Sequence, residues 1–234
     1  MNASPSDQPK GAPVPGWTGA QLPDGRPLQG RLCRLERLDI ARHASDLFAA
    51  YQADSAGRNW TYLAYGPFAD QTAIEAFYGP MAEKQDPLFY AIVDLVAGKA
   101  VGVASFLRMD PANGVIEVGH ISYSPSLQRS TLATEAMYLM MCHAFDDLGN
   151  RRYEWKCDDR NGPSRGAAAR LGFTFEGIFR QAMVYKGRNR DTAWLSIIDS
   201  EWPSVKAGFE AWLDPANFDA DGRQLRRLED CREA

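Results

Sequence analysis

The chain has 234 residues, of which 45% are hydrophobic and 24% charged, and its formal net charge at neutral pH is −4. This size accommodates one large α/β domain or two small ones and is enough to bury a hydrophobic core. The composition excludes bulk disorder, a collagen-like fibre and a small disulfide scaffold. Without an 18-residue apolar run, a signal-like start or a long basic run, we expect a cytoplasmic protein whose partners are neither membranes nor nucleic acids.

The four cysteines lie far apart in the chain, and no two of them form a C-x-x-C pair: Cys33, Cys142, Cys157 and Cys231. A disulfide framework or a zinc site requires closer and more regular spacing. The sequence therefore predicts reduced thiols and no metal.

Prolines and glycines are concentrated at the start of the chain, where six prolines and five glycines fall within the first 30 residues. Both residue types disfavour regular structure. The last 21 or so residues are mostly polar, which indicates a solvated extension or a surface helix. We predict a Pro/Gly-rich extension over 1–26, one domain over 27–213 and a polar tail over 214–234.

Hydrophobic periodicity and turn residues predict the elements between these ends. In chain order they are a strand over 31–35, helices over 40–52 and 70–83, strands over 88–95, 100–109 and 115–123, a long helix over 131–148, a strand over 152–157, a helix over 163–171, strands over 174–185 and 192–199, and a last helix from 201. Three consecutive antiparallel strands followed by a β-α-β unit indicate an α/β (α+β) fold. We expect a mixed, mostly antiparallel sheet of about seven strands with helices on both faces.

The segment 124–135 joins a predicted strand to the long helix. Backbone N–H groups at a helix start have no helical partner, and the helix dipole adds positive charge there, so the turn can hold a phosphate. Arg129 would add a full cation. The alternative is an ordinary helix start that Ser130 or Thr131 caps.

The segment 158–173 places Asn161 and Ser164 between the end of a strand and the start of a helix. Both side chains can point into a cleft where neighbouring strands end. Alternatively, Asn161 forms a turn before Pro163 and Ser164 only caps the helix.

Taken together, these segments resemble the GCN5-related N-acetyltransferases (GNAT). The resemblance rests on the loop from Gln128 to Ala133, on Asn161-x-x-Ser164 and on the Leu-Gly-Phe that ends at Phe173, and it covers about 27–203. The stretch from Phe175 to Gln181 resembles the RimJ/RimL branch, the ribosomal-protein alanine acetyltransferases. The resemblance implies acetyl-CoA as co-substrate, bound in a V-shaped gap between the strands 115–123 and 152–157.

The family resemblance also implies roles for individual residues. Main-chain groups of Ile121, Ser122 and Tyr123 would pair with the pantetheine arm. Asn161 would bind the same arm, and Ser164 would protonate the leaving thiolate. The pyrophosphate would bind the turn formed by Gln128, Arg129, Ser130, Thr131, Leu132, Ala133 and Thr134.

Two positions depart from the family pattern. Thr131 stands where relatives carry a glycine that lets the backbone approach the phosphate closely. Met183 stands where relatives that acetylate protein N-termini carry an acid. Glu117 and His120 are the candidate bases, and a regular strand would place them on opposite faces. The alternatives are an ion-paired Glu117 and a half-buried structural His120.

The link between the first two helices is rich in aromatic residues. Trp60, Tyr62 and Tyr65 could shape an acceptor pocket, or they could pack against the sheet. We expect an N-acetyltransferase that acts on a primary amine, either a small molecule or a peptide N-terminus, by direct attack in a ternary complex. The alternative is a CoA-binding or sensing module without turnover, and the chain can be a monomer or a homodimer.

Overall fold

The computed structural model describes residues 8–232, and eight strands of this part form one sheet. The strands are β1 (Leu28–Gln29), β2 (Cys33–Arg37), β3 (Leu88–Asp94), β4 (Lys99–Asp110), β5 (Val115–Tyr123), β6 (Arg152–Asp158), β7 (Thr174–Tyr185) and β8 (Arg188–Ile198). The α-helices are α1 (Ile40–Tyr51), α2 (Gln71–Ala82), α3 (Thr131–Cys142), α4 (Gly162–Leu171) and α5 (Trp202–Leu213). A π-helical turn, His143–Asp147, extends α3.

The strand order is β1-β2-β3-β4-β5-β6-β8-β7, and every neighbouring pair is antiparallel except β5 and β6. The predicted mixed, mostly antiparallel sheet is confirmed, with one strand more than expected. The additional strand, β1, has two residues and is too short to show a periodicity.

The strand β8 begins at Arg188, four residues earlier than predicted. Lys186 and Gly187 both adopt positive φ angles, 48° and 69°, so a two-residue turn replaces the expected loop. A turn with two positive φ values matches the twist of the flanking strands, and Tyr185 therefore pairs directly with Arg188.

Helices cover both faces of the sheet, as predicted. On one face, α1 and α2 bury Leu47, Ile74 and Tyr78 against Phe89 of β3. On the other face, α3, α4 and α5 enclose a larger core that contains fully buried Phe209. The face of the sheet that α1 and α2 cover is called the α1/α2 face below.

The parallel strands β5 and β6 separate part-way along their length. They pair from Val115–Arg152 to Val118–Trp155, whereas β5 continues to Tyr123 and β6 to Asp158. A β-bulge accompanies this separation. Ser105 pairs with Gly119 and Val103 pairs with Ser122, so two steps along β4 face three steps along β5. A bulge bends a strand and raises its twist, so β5 leaves β6 and a V-shaped gap opens.

Both described ends of the chain pack against the domain. The indole of Trp17 donates to the carbonyl of Ala112 at 2.8 Å. Near the other end, Leu228 and Cys231 are buried in the core under α5, which differs from a solvated tail. Of the predicted extension and tail, 1–7 and 233–234 lie outside the described residues, and the boundaries at 26 and 213 remain predictions.

Three further features concern the described residues alone. None of the helices between 8 and 232 has the length and apolar character that crossing a membrane requires. The same residues contain no group of three or more His, Cys, Asp or Glu side chains arranged to hold a metal. All four cysteines are free thiols.

Candidate active site

The turn before α3 combines a helix cap with free backbone donors. Ser130 caps the helix: its hydroxyl accepts from the N–H of Ala133 at 3.0 Å and donates to the carbonyl of Leu127 at 2.7 Å. Within the described part of the chain, the N–H groups of Arg129, Thr131 and Leu132 have no hydrogen-bond partner. Three free donors, the helix dipole and the Arg129 cation together suit a phosphate group.

Other residues of this turn have structural partners. The amide of Gln128 donates to the side-chain oxygen of Asn59 at 2.6 Å and to the carbonyl of Tyr123 at 3.3 Å. The hydroxyl of Thr134 accepts from Arg170 at 3.1 Å, and Ala133 is buried. These contacts tie the turn to the rest of the domain. The free N–H donors of the turn are therefore those of Arg129, Thr131 and Leu132.

Asn161 and Ser164 lie together at the end of β6. The Asn161 side-chain oxygen accepts from the N–H of Ser164 at 3.1 Å, which makes Asn161 the N-cap of α4. The Ser164 hydroxyl oxygen accepts from the indole N–H of buried Trp155 at 3.0 Å. The indole N–H has only the donor role, so Ser164 can donate its hydroxyl proton, and the buried thiol of Cys157 is one acceptor within its reach.

The end of β5 is held by side chains from the α1/α2 face. The carbonyl of Ser122 accepts from the hydroxyl of Tyr51 at 3.3 Å, and that of Tyr123 accepts from the amide of Asn59 at 3.0 Å. Ile121 packs against the opposite core. These three predicted pantetheine-binding positions lie beyond Val118, where the pairing with β6 ends, and so form one rim of the gap, with the carbonyls of Ser122 and Tyr123 already hydrogen-bonded.

Glu117 belongs to a buried ion cluster. Its carboxylate pairs with Arg108 at 2.6 Å and with Lys156 at 2.8 Å, and Lys156 also pairs with Glu154 at 2.8 Å. Lys156 lies 3.7 Å from the ring centre of Trp194. Because both carboxylate oxygens of Glu117 contact cations, the structure favours the ion-paired alternative over a free base.

His120 occupies the bulge of β5, where its φ angle is 50°. The Nδ1 atom is 3.3 Å from the hydroxyl of Tyr65, and the ring lies 5.0 Å from that of Phe89. The extra residue of the bulge shifts the alternation of β5, so His120 lies on the α1/α2 face, which also carries Glu117. The expectation from a regular strand was therefore wrong.

The environment of His120 disfavours its charged form. Burial, and secondarily the positive charge of Arg108, lower the pKa of His120 to about 4. The imidazole is therefore neutral at pH 7, and it is a weak acceptor for the proton of an alkylammonium group.

The aromatic loop divides into a packed part and a rim part. Trp60 is 2% exposed, with its ring 5.0 Å from Tyr51 and 5.2 Å from Phe68, which gives it a packing role. Tyr62 donates its hydroxyl to the carbonyl of Arg160 at 3.0 Å, across the mouth of the gap. Of the three predicted acceptor residues, Tyr62 therefore lies at the mouth of the gap, whereas Tyr65 packs against Phe77 and His120 on the α1/α2 face.

The sequence prediction missed one carboxylate, Asp158, the last residue of β6. It is 7% exposed and accepts hydrogen bonds from the Tyr185 hydroxyl and the N–H of Arg160, both at 2.8 Å. A spacing of two from Lys156 places it on the same face of the strand. The sequence contains that spacing but does not reveal the burial.

The comparisons with known proteins agree on one family. The family model described as "Acetyltransferase (GNAT) domain" matches residues 33–174. The crystal structure of a GCN5-related N-acetyltransferase from Brucella melitensis is 47% identical, with a TM-score of 0.92, and the alignment covers 94% of this chain and all of that one. The structure of the microcin C7 self-immunity acetyltransferase MccE, solved with acetyl-CoA and AMP, is 21% identical with a TM-score of 0.61 over 72% of this chain and 93% of that one, and shows the fold alone.

Matches among curated proteins are shorter. The ribosomal-protein-serine acetyltransferase of Escherichia coli (strain K12) is 31% identical over 102 residues, which is 43% of this chain and 56% of that protein. The matched segment spans 56% to 63% of the length of three of these relatives.

Proposed function

The chain belongs to the acetyltransferase (GNAT) family, and from that premise we propose that it transfers the acetyl group of acetyl-CoA to a primary amine. The acceptor is a small molecule or a peptide N-terminus. A relative named for acetylating a ribosomal protein supports the proposal, and a protein of the same fold was solved with acetyl-CoA.

The separation of β5 and β6 is the observation that carries this proposal. It leaves a gap with the free N–H groups of the turn before α3 on one rim and with Asn161 and Ser164 on the other. Parallel strands bring their carboxyl ends to the same edge of a sheet, which is why these groups converge.

The residues present fit acetyl-CoA. When bound, this co-substrate supplies an acetyl thioester. The N–H groups of Arg129, Thr131 and Leu132, with the Arg129 guanidinium, would bind its pyrophosphate. The side-chain oxygen of Asn161 caps α4, but in the described chain its amide N–H groups have no partner and would donate to a carbonyl of the pantetheine arm.

Direct transfer requires a neutral amine and a proton for the departing sulfur. The amine nitrogen forms a bond to the thioester carbon as the carbon–sulfur bond breaks, and Ser164 would donate its hydroxyl proton to the sulfur. The proton that the nitrogen loses on becoming an amide would return to Ser164 through water. Trp155 holds the Ser164 oxygen in place for this step. An N-terminal amine with a pKa near 8 is partly neutral at pH 7.5, whereas deprotonating a lysine amine at that pH would cost roughly 4 kcal/mol.

Thiol release from acetyl-CoA over a panel of amines, together with the thermal shift that acetyl-CoA causes, tests the proposal. We expect stabilisation by acetyl-CoA, release of CoA with at least one amine, and a lower kcat for Ser164→Ala. Ser200→Ala is the matched control, because Ser200 is exposed in a turn.

The outcomes separate the alternatives. Stabilisation without thiol release would favour a CoA-binding or sensing module. The absence of any stabilisation would contradict both functions. An unchanged kcat in the folded Ser164→Ala variant would contradict the role of Ser164 as the proton donor.

A further inference from the structure

Asp158 is unusual among the buried acids of this chain. In residues 8–232 the buried carboxylates are those of Glu36, Glu117, Glu135, Glu154 and Asp158. Arginine or lysine side chains pair with Glu36, Glu117 and Glu154, and three backbone N–H groups donate to Glu135. Over the same residues, Asp158 forms no ion pair.

The hydrogen bonds of Asp158 leave it able to accept more. One carboxylate oxygen accepts from the hydroxyl of Tyr185 and the other from the N–H of Arg160. An ionised carboxylate has about four acceptor positions, so each oxygen retains capacity. A buried negative charge without a cation is costly, and an incoming cation therefore gains an interaction that water does not match.

The surroundings of Asp158 suit an ammonium group. As the last residue of β6, it lies beyond Trp155, the last β6 residue that pairs with β5, and so on the rim of the gap. The phenols of Tyr185 and Tyr62 stand beside it, since Tyr62 donates to the carbonyl of Arg160. A carboxylate with aromatic rings nearby is a common environment for an alkylammonium ion.

Three cations lie in this region, and none of them forms an ion pair with Asp158. The guanidinium of Arg190 lies over the ring of Tyr185, 5.9 Å from its centre, and Arg165 pairs with Asp159 at 2.7 Å. Lys156, two residues earlier on the same face, is held by Glu117 and Glu154. Within the described chain, Arg165 and Lys156 are thus paired with other acids, whereas Arg190 has no ion pair and its buried Nε has no hydrogen-bond partner. Asp158 itself has no cation within ion-pair distance and can accept one from outside.

We propose that Asp158 binds the amino group of the acceptor, as the ammonium ion in which it arrives, at the rim of the gap; the group then loses its proton to water before it attacks the thioester carbon. This inference rests on the proposed acetyltransferase function and deepens it. It assigns the acceptor to the alkylamines that are protonated near neutral pH, whether on a small molecule or at a peptide end, and it supplies an acid on the acceptor side although position 183 is a methionine.

The test compares the wild-type protein with Asp158→Asn in steady-state kinetics. The probes are an alkylamine panel, amino-acid amides and short peptides with free N-termini. Asparagine has almost the same shape, so the variant removes mainly the charge. We expect KM for the amine to rise roughly 10- to 100-fold, with a smaller change in kcat and an unchanged thermal shift by acetyl-CoA.

Asp159→Asn is the matched control, because it removes the neighbouring charge, which pairs with Arg165. It is expected to leave KM within about twofold of the wild type. If Asp158→Asn does not fold, Asp158→Ser, which keeps a hydroxyl for Tyr185, replaces it.

The results distinguish the inference from the function on which it rests. If the wild type turns over and the folded Asp158 variant has an unchanged KM, the binding of the amine by Asp158 is overturned and the acetyltransferase function stands. If the wild type acetylates none of the amines, the function is overturned, and the binding of the amine by Asp158 with it. A rise in KM that also occurs in Asp159→Asn overturns the assignment to Asp158.

Discussion

Replacing Glu135 by alanine is predicted to destabilise the fold through the loss of a buried contact between α3 and the turn before β2. The Glu135 carboxylate, on buried α3, accepts from the N–H groups of Arg31, Leu32 and Cys33 at 3.0, 2.7 and 2.9 Å. It therefore holds the turn between β1 and β2 against the helix. Gly30 lies so close that an added Cβ would stand 2.5 Å from a Glu135 oxygen.

The expected loss follows from the exposure of the three donors. The N–H of Arg31 belongs to an exposed residue and can bind water after the substitution, whereas those of half-buried Leu32 and buried Cys33 are sheltered. A hydrogen bond to a charged group contributes roughly 1.5–3 kcal/mol. Two sheltered bonds give a loss of about 3–6 kcal/mol in the free energy of unfolding, or a fall in Tm of about 6–24 °C.

Urea and thermal unfolding, followed by circular dichroism, measure this loss. Glu83→Ala is the control, because Glu83 is exposed at the end of α2, and it is expected to change the free energy of unfolding by less than about 0.5 kcal/mol. Glu135→Gln keeps one acceptor and should fall between the two. A loss below about 1 kcal/mol in Glu135→Ala would refute the reasoning that these bonds hold the turn.

Three further predictions concern the gap. Asn161→Ala should lower kcat/KM and, since it removes the cap of α4, cost about 1 kcal/mol in urea unfolding; normal turnover would remove Asn161 from the site. Thr131→Gly should preserve or strengthen acetyl-CoA binding in calorimetry, whereas abolished binding would make the Thr131 hydroxyl part of the site. The depressed pKa of His120 means that the unfolded chain binds its proton first as pH falls, so stability drops between about pH 6.5 and 4. His120→Asn should flatten that part of the stability curve, and an unchanged slope would contradict the low pKa.

The local periodicity of apolar residues was sufficient to predict most helices and strands of the fold. The apolar spacing predicts α1 and α2 to within a residue or two, because each buries one face against the sheet. The order of strands and helices then leads to the mixed sheet. The start of β8 was missed because the turn at Lys186 requires a positive φ in a residue that rarely adopts one.

The candidate site was harder to predict because its chemistry depends on burial and on irregular backbone. The motif around Asn161 and Ser164 was visible in the sequence, and the structure brings those two residues into contact. The ion pairs of Glu117 join three strands, and no local pattern reports them. The burial of Asp158 likewise depends on Tyr185, which is 27 residues away in the chain.

The bulge at His120 makes the gap depend on the number of residues in β5. Between Gly119 and Ser122 the strand carries one residue more than the facing part of β4. Deleting one residue there would restore regular pairing, carry β5 alongside β6 and turn the following side chains to opposite faces. A single-residue deletion in β5 should therefore abolish acetyl-CoA binding even where substitutions at the same positions are tolerated, because the gap depends on the length of this strand as well as on its side chains.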